Sequence, residues 1–203
     1  MIALGGKKII LGLTGKTGAG KSTVAAALAA RGAAVHDADK LVRELEQNDS
    51  GVICALCNAF GSDIYTDGAL NRQLLAARAF ASQQSIQLIN GIVHPAVTKR
   101  LTQLITEAFD QGFNVCVVDA AALIESGFCS ECDLLAVVTA PLDIRKSRII
   151  GRDSLTPEQA QIRINAQKSD DYYESRADYI IRNYPPYELD SELAPLLGAL
   201  GLQ

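Results

Sequence analysis

The segment Gly15-Lys16-Thr17-Gly18-Ala19-Gly20-Lys21-Ser22 matches the pattern GxxxxGK[ST], and its flanks restrict how it can fold. Ahead of it, Lys8-Ile9-Ile10-Leu11-Gly12-Leu13-Thr14 is a short run rich in aliphatic residues that suits a buried strand. Behind it, Ser22 to Arg31 is Ala-rich, has apolar residues at helical spacing and stops at Gly32, a suitable C-terminal cap. Strand, glycine-rich turn and helix in that order make a phosphate cradle. The glycines let the backbone curl so that successive N–H groups face a phosphate, and the helix N-terminus adds partial positive charge. Lys21 can then bridge β- and γ-phosphates, and the Ser22 hydroxyl can ligate magnesium. Ala33 to Asp37 reads as a second short strand, which closes a βαβ unit.

From Lys40 to Gly112 the pattern becomes helical and requires no strand, with turn chemistry at Asn48-Asp49-Ser50-Gly51 and Asp67-Gly68. Gln84 to Val93 and Pro95 to Phe109 read as two helices, Pro95 being placed for the first turn of the second. Strand patterns return at Asn114–Asp119, Cys132–Thr139 and Asp178–Arg182. Strands recurring between helices call for an α/β fold, a parallel sheet flanked by helices. The 203 residues suit one domain with a helical insertion, and no repeat or linker splits them.

A phosphate loop specifies a nucleotide, not a reaction. A GTPase switch also needs N-K-x-D and usually D-x-x-G, and neither string occurs. What does occur is Asp37-Ala38-Asp39 at the end of the second strand, where α/β proteins bind ligands. Two carboxylates there suit phosphoryl transfer to an alcohol: one can help to hold magnesium, directly or through water, and the other can accept the hydroxyl proton. The plainer reading of Asp37 is a helix N-cap. Arg145, Arg148 and Arg152 share one helical face after Pro141. Such a face is either solvated or, in a kinase, a lid that brings guanidinium groups onto the transferring phosphoryl, the role expected of Arg148 and Arg152. Asp119 is a further magnesium-acid candidate.

The string Leu11 to Thr23 followed by Asp37-Ala38-Asp39 resembles the dephospho-CoA kinases. Further matches are Asp67-Gly68 with Asn71-Arg72, His94-Pro95, Leu123-Ile124-Glu125, Arg148 to Arg152-Asp153, Gln167, and Ala177 to Ile180 with Asn183. The resemblance covers nearly the whole chain. It implies a P-loop NTPase-type core with a helical acceptor-binding insertion and a helical lid. The implied core comprises residues 1–39, 113–140 and 176–203, the acceptor domain 40–112 and the lid 141–175. It implies transfer of the ATP γ-phosphate to the ribose 3′-hydroxyl of dephospho-CoA, with Mg2+, in the last step of coenzyme A biosynthesis. Gly15, Gly18, Ala19, Gly20, Lys21, Ser22, Thr23 and Asn183 would bind ATP, with Lys21, Asp39, Arg148 and Arg152 catalytic. Ser22 and Asp37 would hold the metal, and Asp39, Arg72 and His94 would serve the acceptor. Arg72 reads equally well as a helix-surface arginine, and His94-Pro95 reads better as a helix start than as an acid–base pair.

Two departures stand out. Ala121 and Ala122 precede Leu123-Ile124-Glu125 where many members carry a proline, and Tyr184-Pro185-Pro186 follows Asn183 where glycine is often found. The rival reading is a P-loop kinase for another small alcohol or a nucleoside monophosphate, such as shikimate or gluconate kinase; a nucleotide-driven regulatory module is disfavoured by the acid pair.

Composition excludes other classes. With 19 basic and 23 acidic residues and a net charge of −4, the chain is no general nucleic-acid binder. Any positive potential must be local, at Lys16, Lys21, Arg148 and Arg152. No apolar run reaches the roughly 18 residues that cross a bilayer, and Met1 to Lys8 does not read as a signal peptide. Five cysteines are then expected to be reduced thiols of a cytoplasmic protein. Cys54/Cys57 and Cys129/Cys132 have metal-ligand spacing, but some seventy residues part the pairs and the first lies in an apolar stretch, so they read as packing residues.

Overall fold

The computed structural model describes residues 7–66 and 68–203. Residues 1–6 of the amino-terminal segment and Asp67 of the expected turn lie outside the described residues. Along the chain, β1 (Ile9–Gly15) leads into α1 (Lys21–Ala30) and β2 (Ala34–Asp37). Helices α2 (Ala38–Asn48) and α3 (Ser50–Phe60) follow, then the short strands β3 (Tyr65–Thr66) and β4 (Ala69–Leu70), α4 (Arg72–Ala79) and α5 (Gln83–Asp110). The remainder runs β5 (Val115–Asp119), β6 (Leu134–Thr139), α6 (Leu142–Asp153), α7 (Pro157–Asn165), α8 (Asp170–Glu174), β7 (Tyr179–Arg182) and α9 (Leu189–Leu200).

The chain divides into two compact units, residues 1–36 with 105–203, and residues 37–104. In the first, a five-stranded sheet has the order β2-β5-β1-β6-β7. Strand β1 pairs parallel with β5, Leu11 opposite Val117, and with β6, Leu13 opposite Ala136. Strand β6 pairs parallel with β7, Val138 opposite Ile181. All five residues of β5 are buried, as a strand covered on both faces requires. Leu11, Leu13, Val24, Leu28, Val117, Val138, Ile181, Leu193 and Leu196 form the core, so α1 and α9 are held by their apolar sides rather than by helix propensity. The α/β expectation is borne out.

Close packing reaches the centre of the sheet at Gly12, in β1. A Cβ there would stand 2.7 Å from Leu123 Cδ2, 3.0 Å from Cys132 Sγ and 3.2 Å from Leu135 Cδ1.

In the second unit Val52, Leu56, Phe60, Ile64, Leu75 and Val93 form a separate core. The turn read at Asn48–Gly51 is a helix break: Asp49 accepts a hydrogen bond from the Val52 N–H at 3.0 Å and caps α3. Two expectations are corrected. The region is not purely helical, because Tyr65–Thr66 pairs antiparallel with Ala69–Leu70; two-residue strands are too short to leave a periodic pattern. And α5 does not break before Pro95 but passes through it. Ile89, Ile92 and Val93 before the proline, and Ala96 and Val97 after it, pack on the same core, which offsets the one backbone bond that proline forfeits. Among the described residues, no helix is long and apolar enough to cross a membrane.

All five cysteines are free thiols. Cys54 and Cys57 lie one turn apart on α3, Cys129 lies in a 3₁₀ turn and Cys132 directly after it. No group of three His, Cys, Asp or Glu is gathered as a metal site among the described residues. Burial pushes the Cys116 thiol up to about 11 and the Cys132 thiol up to about 12, so neither supplies thiolate near neutrality. At pH 8 an alkylating reagent is expected to label exposed Cys54 first and to reach Cys116 and Cys132 only in denaturant; peptide mass mapping against time would report the order.

Candidate active site

The loop between β1 and α1 owes its shape to glycine. Gly18 and Gly20 have φ of 80° and 96°, and a Cβ on Gly20 would lie 2.0 Å from Asn183 Nδ2. The carbonyls of the loop are taken up by distant side chains. Arg148 Nη1 donates to Gly18 O at 3.3 Å and Ala19 O at 3.1 Å, and Arg148 Nη2 to Asn183 O at 2.7 Å. Asn183 Nδ2 donates to Ala19 O at 3.1 Å and Gly20 O at 3.4 Å, while the Asn183 N–H is fixed on Thr139 O at 3.0 Å.

The backbone donors show the opposite bias. The Ala19 N–H turns back to Lys16 O at 3.0 Å, and the Thr17 N–H donates to Gln167 Oε1 at 3.0 Å. Among the described residues, the N–H groups of Gly18, Gly20, Lys21 and Ser22 donate to no protein group. Four orphan donors within five consecutive residues at a helix N-terminus are the condition for binding an anion. Lys21 Nζ stands 3.1 Å from Oδ1 of Asp119, which is buried at the end of β5. Ser22 and Thr23 are exposed on the first turn of α1.

An oxygen-ligated cation fits this donor set. The Ser22 hydroxyl and the Asp119 carboxylate belong to the same unit and are hard oxygen ligands of the kind magnesium takes, completed by phosphate and water. Asp37 ends β2, and its Oδ1 accepts from the Lys40 N–H at 2.8 Å, so one of its oxygens caps α2. Asp39 lies half-buried in the first turn of α2, and its carbonyl accepts from Arg43 Nε at 3.1 Å.

The basic stretch of α6 divides three ways. Arg148 secures the loop, Arg145 is buried, and exposed Arg152 donates to both oxygens of Asp153 at 2.7 and 2.8 Å. Arg163 joins Asp153 as well. The Arg152 guanidinium, with Arg163, holds the Asp153 carboxyl down at about 2. Lys16 is tied up too, its Nζ 2.8 Å from Asp170 Oδ1. Asp170 and the loop-binding role of Gln167 escaped the sequence reading, because both act across about 150 residues. Glu125 accepts from the buried Tyr173 hydroxyl at 2.9 Å, and burial, with that bond to Glu125, raises the phenol well above its usual range.

In the second unit Arg72 is bound to Glu46 and donates to Arg43 O at 3.2 Å. Tyr65 hydrogen-bonds the Glu46 carbonyl, and burial with the nearby Glu46 charge pushes its phenol up to about 12. His94 is half-buried inside α5, not at a helix start.

Comparison with known proteins agrees on one family. The dephospho-CoA kinase family model matches residues 9–186. The dephospho-CoA kinase of Corynebacterium glutamicum is 36% identical over 192 residues, covering 94% of this chain and 96% of that one. That of Corynebacterium diphtheriae is 40% identical over 175 residues, with 86% and 88% covered. A solved structure from Thermus thermophilus superimposes with a TM-score of 0.80 at 27% identity, covering 96% of this chain and 97% of its own. A dephospho-CoA kinase from Campylobacter jejuni (TM-score 0.67, 19% identity, 93% and 94% covered) and a shikimate kinase from Acinetobacter baumannii (0.53, 17%, 96% and 94%) share the fold.

The loop geometry is testable at Gly20. Gly20→Ala places a methyl against the Asn183 amide at a left-handed φ, and is expected to destabilise the protein by about 1–3 kcal/mol and to weaken nucleotide binding; urea unfolding and ADP titration would check it, and an unchanged unfolding midpoint would contradict the packing described.

Proposed function

Because the chain belongs to the dephospho-CoA kinase family, we propose that it transfers the γ-phosphate of ATP to the ribose 3′-hydroxyl of dephospho-CoA, giving CoA and ADP. The observation that carries this reading is the family match across residues 9–186, and the four open loop amides supply the chemistry it needs. The N–H groups of Gly18, Gly20, Lys21 and Ser22 hold the β-phosphate. Lys21, parked beside Asp119, swings to the β- and γ-oxygens and offsets the charge that develops on them. Ser22 and Asp119, in one unit, would be oxygen ligands for Mg2+, which when bound would neutralise phosphate charge and orient the γ-phosphoryl. Arg148 keeps the loop in register, and Asn183 borders the nucleotide. Arg152 reaches the γ-phosphoryl by exchanging Asp153 for phosphate oxygens.

Asp39 accepts the 3′-hydroxyl proton as the new P–O bond forms and the bond to the ADP oxygen breaks. Its unit, residues 37–104, supplies the acceptor-binding surface, where Arg72 and His94 are the candidates for contact. Arg72 must share itself with Glu46, so its part is that of an anchored guanidinium held at a set position. Residues 141–175 act as the lid. Five reduced thiols support a cytoplasmic setting.

ADP formation from Mg-ATP is expected to rise strongly on adding dephospho-CoA and not on adding shikimate, gluconate or nucleoside monophosphates; no stimulation by dephospho-CoA would refute the assignment. Asp39→Asn is expected to lower turnover by about 10²–10⁴ with ATP affinity nearly unchanged, as removal of a general base should. A collapse of ATP affinity in that variant would give Asp39 a different role.

A further inference from the structure

Arg145 is the one basic side chain among the described residues that is fully buried, at 3% relative exposure. Its Nε donates to Ala140 O at 3.0 Å, while its Nη1 has no partner. No carboxylate pairs with it among the described residues. It lines a small cavity, about 10 Å3 of free space, together with Lys16, Ala19, Asp170 and Glu174. Within that cavity Lys16 and Asp170 neutralise each other at 2.8 Å, and Glu174 makes no ion pair with Arg145. The backbone of residue 145 presses on the phosphate loop: a Cβ on Gly18 would stand 2.5 Å from Arg145 O and 2.9 Å from Arg145 Cα.

A guanidinium buried without a counter-ion is costly in the folded protein. The loop packed against it is the place where a polyanion binds, and charges in a poorly screened interior interact more strongly than in water. We propose that the counter-ion of Arg145 is the bound nucleotide: a buried charge behind the phosphate loop that strengthens di- and triphosphate binding through the loop without touching the ligand, at the expense of stability in the unliganded protein. Arg145 is on this account a positioning residue. The inference rests on the nucleotide-binding part of the reading above.

Opposite signs in two measurements distinguish this from a packing role. Arg145→Met keeps the unbranched stem and removes the charge. It is expected to raise the unliganded melting midpoint by about 2–4 °C, to weaken ADP binding about three- to tenfold and to flatten its salt dependence. Arg145→Lys retains the charge and is expected to bind ADP within about twofold of the parent protein. Arg145→Gln, with a polar head to meet Ala140 O, is expected to follow the Met variant in affinity. Calorimetric ADP titration at two salt concentrations and a thermal melt without ligand give all the readouts. The proposal is overturned if the Met or Gln variant binds ADP like the parent, if the Lys variant loses as much affinity as the Met variant, or if the Met variant melts lower or fails to fold. Failure of the parent protein to bind ADP at all would overturn the kinase reading along with it, which separates the two failures.

Discussion

A loop that offers N–H groups to an anion has carbonyl oxygens that need partners as well, because buried backbone polar groups cannot be left unpaired. In this chain the solution is long-range. Arg148, 129 residues from Ala19, and Asn183, 164 residues from it, take the carbonyls of residues 18 to 20, and the Thr17 N–H is met by Gln167. What remains open is a run of donors at the head of α1. The sheet order explains how this is reached. With β6 beside β1 and β7 beside β6, the carboxyl ends of three adjacent strands bring the loop, residues 139–140 and Asn183 to one place.

Three arginines on one face of α6 illustrate how little a helical wheel says about electrostatics. Arg145 is buried and lacks an ion-pair partner, Arg148 spends its hydrogen bonds on backbone carbonyls, and Arg152 is exposed and held by its neighbour Asp153. Their spacing is regular and their surroundings differ, so one charge type meets three fates: burial without an ion pair, backbone hydrogen bonding, and pairing with an adjacent carboxylate. The local positive potential expected at Lys16 is likewise cancelled by Asp170.

Much of the architecture was legible because it is written in short-range patterns. Apolar runs marked β1, β5 and β6, the Ala-rich stretch after the glycines marked α1, and the loop motif marked the glycine-rich turn between β1 and α1. Where the reading went astray, non-local packing outweighed a local signal. Pro95 looks like a helix start, yet apolar residues on both sides of it share one core and carry α5 through. The hairpin at Tyr65–Leu70 has too few residues for alternation to register. Nothing in the string Ile144-Arg145-Lys146 tells which cation is buried, and nothing near Lys16 announces Asp170. Hydrogen-bond partners across 150 residues are a property of the fold, and a single sequence carries no period that reports them.

The crowding around Gly12 bears on how such a chain can change over time. Leu123, Cys132 and Leu135 come from the segment between β5 and β6 and from β6 itself, and together they fill the space that a side chain at position 12 would need. Those four positions therefore cannot drift separately. An alanine or serine at position 12 becomes tolerable only alongside a smaller residue at 123 or 132, and the order of events matters, because the shrinking step leaves a cavity while the enlarging step taken first leaves a clash. Homologous chains should accordingly show size at position 12 traded against size at 123, 132 and 135, a correlation set by volume alone and independent of the chemistry at the loop three residues away.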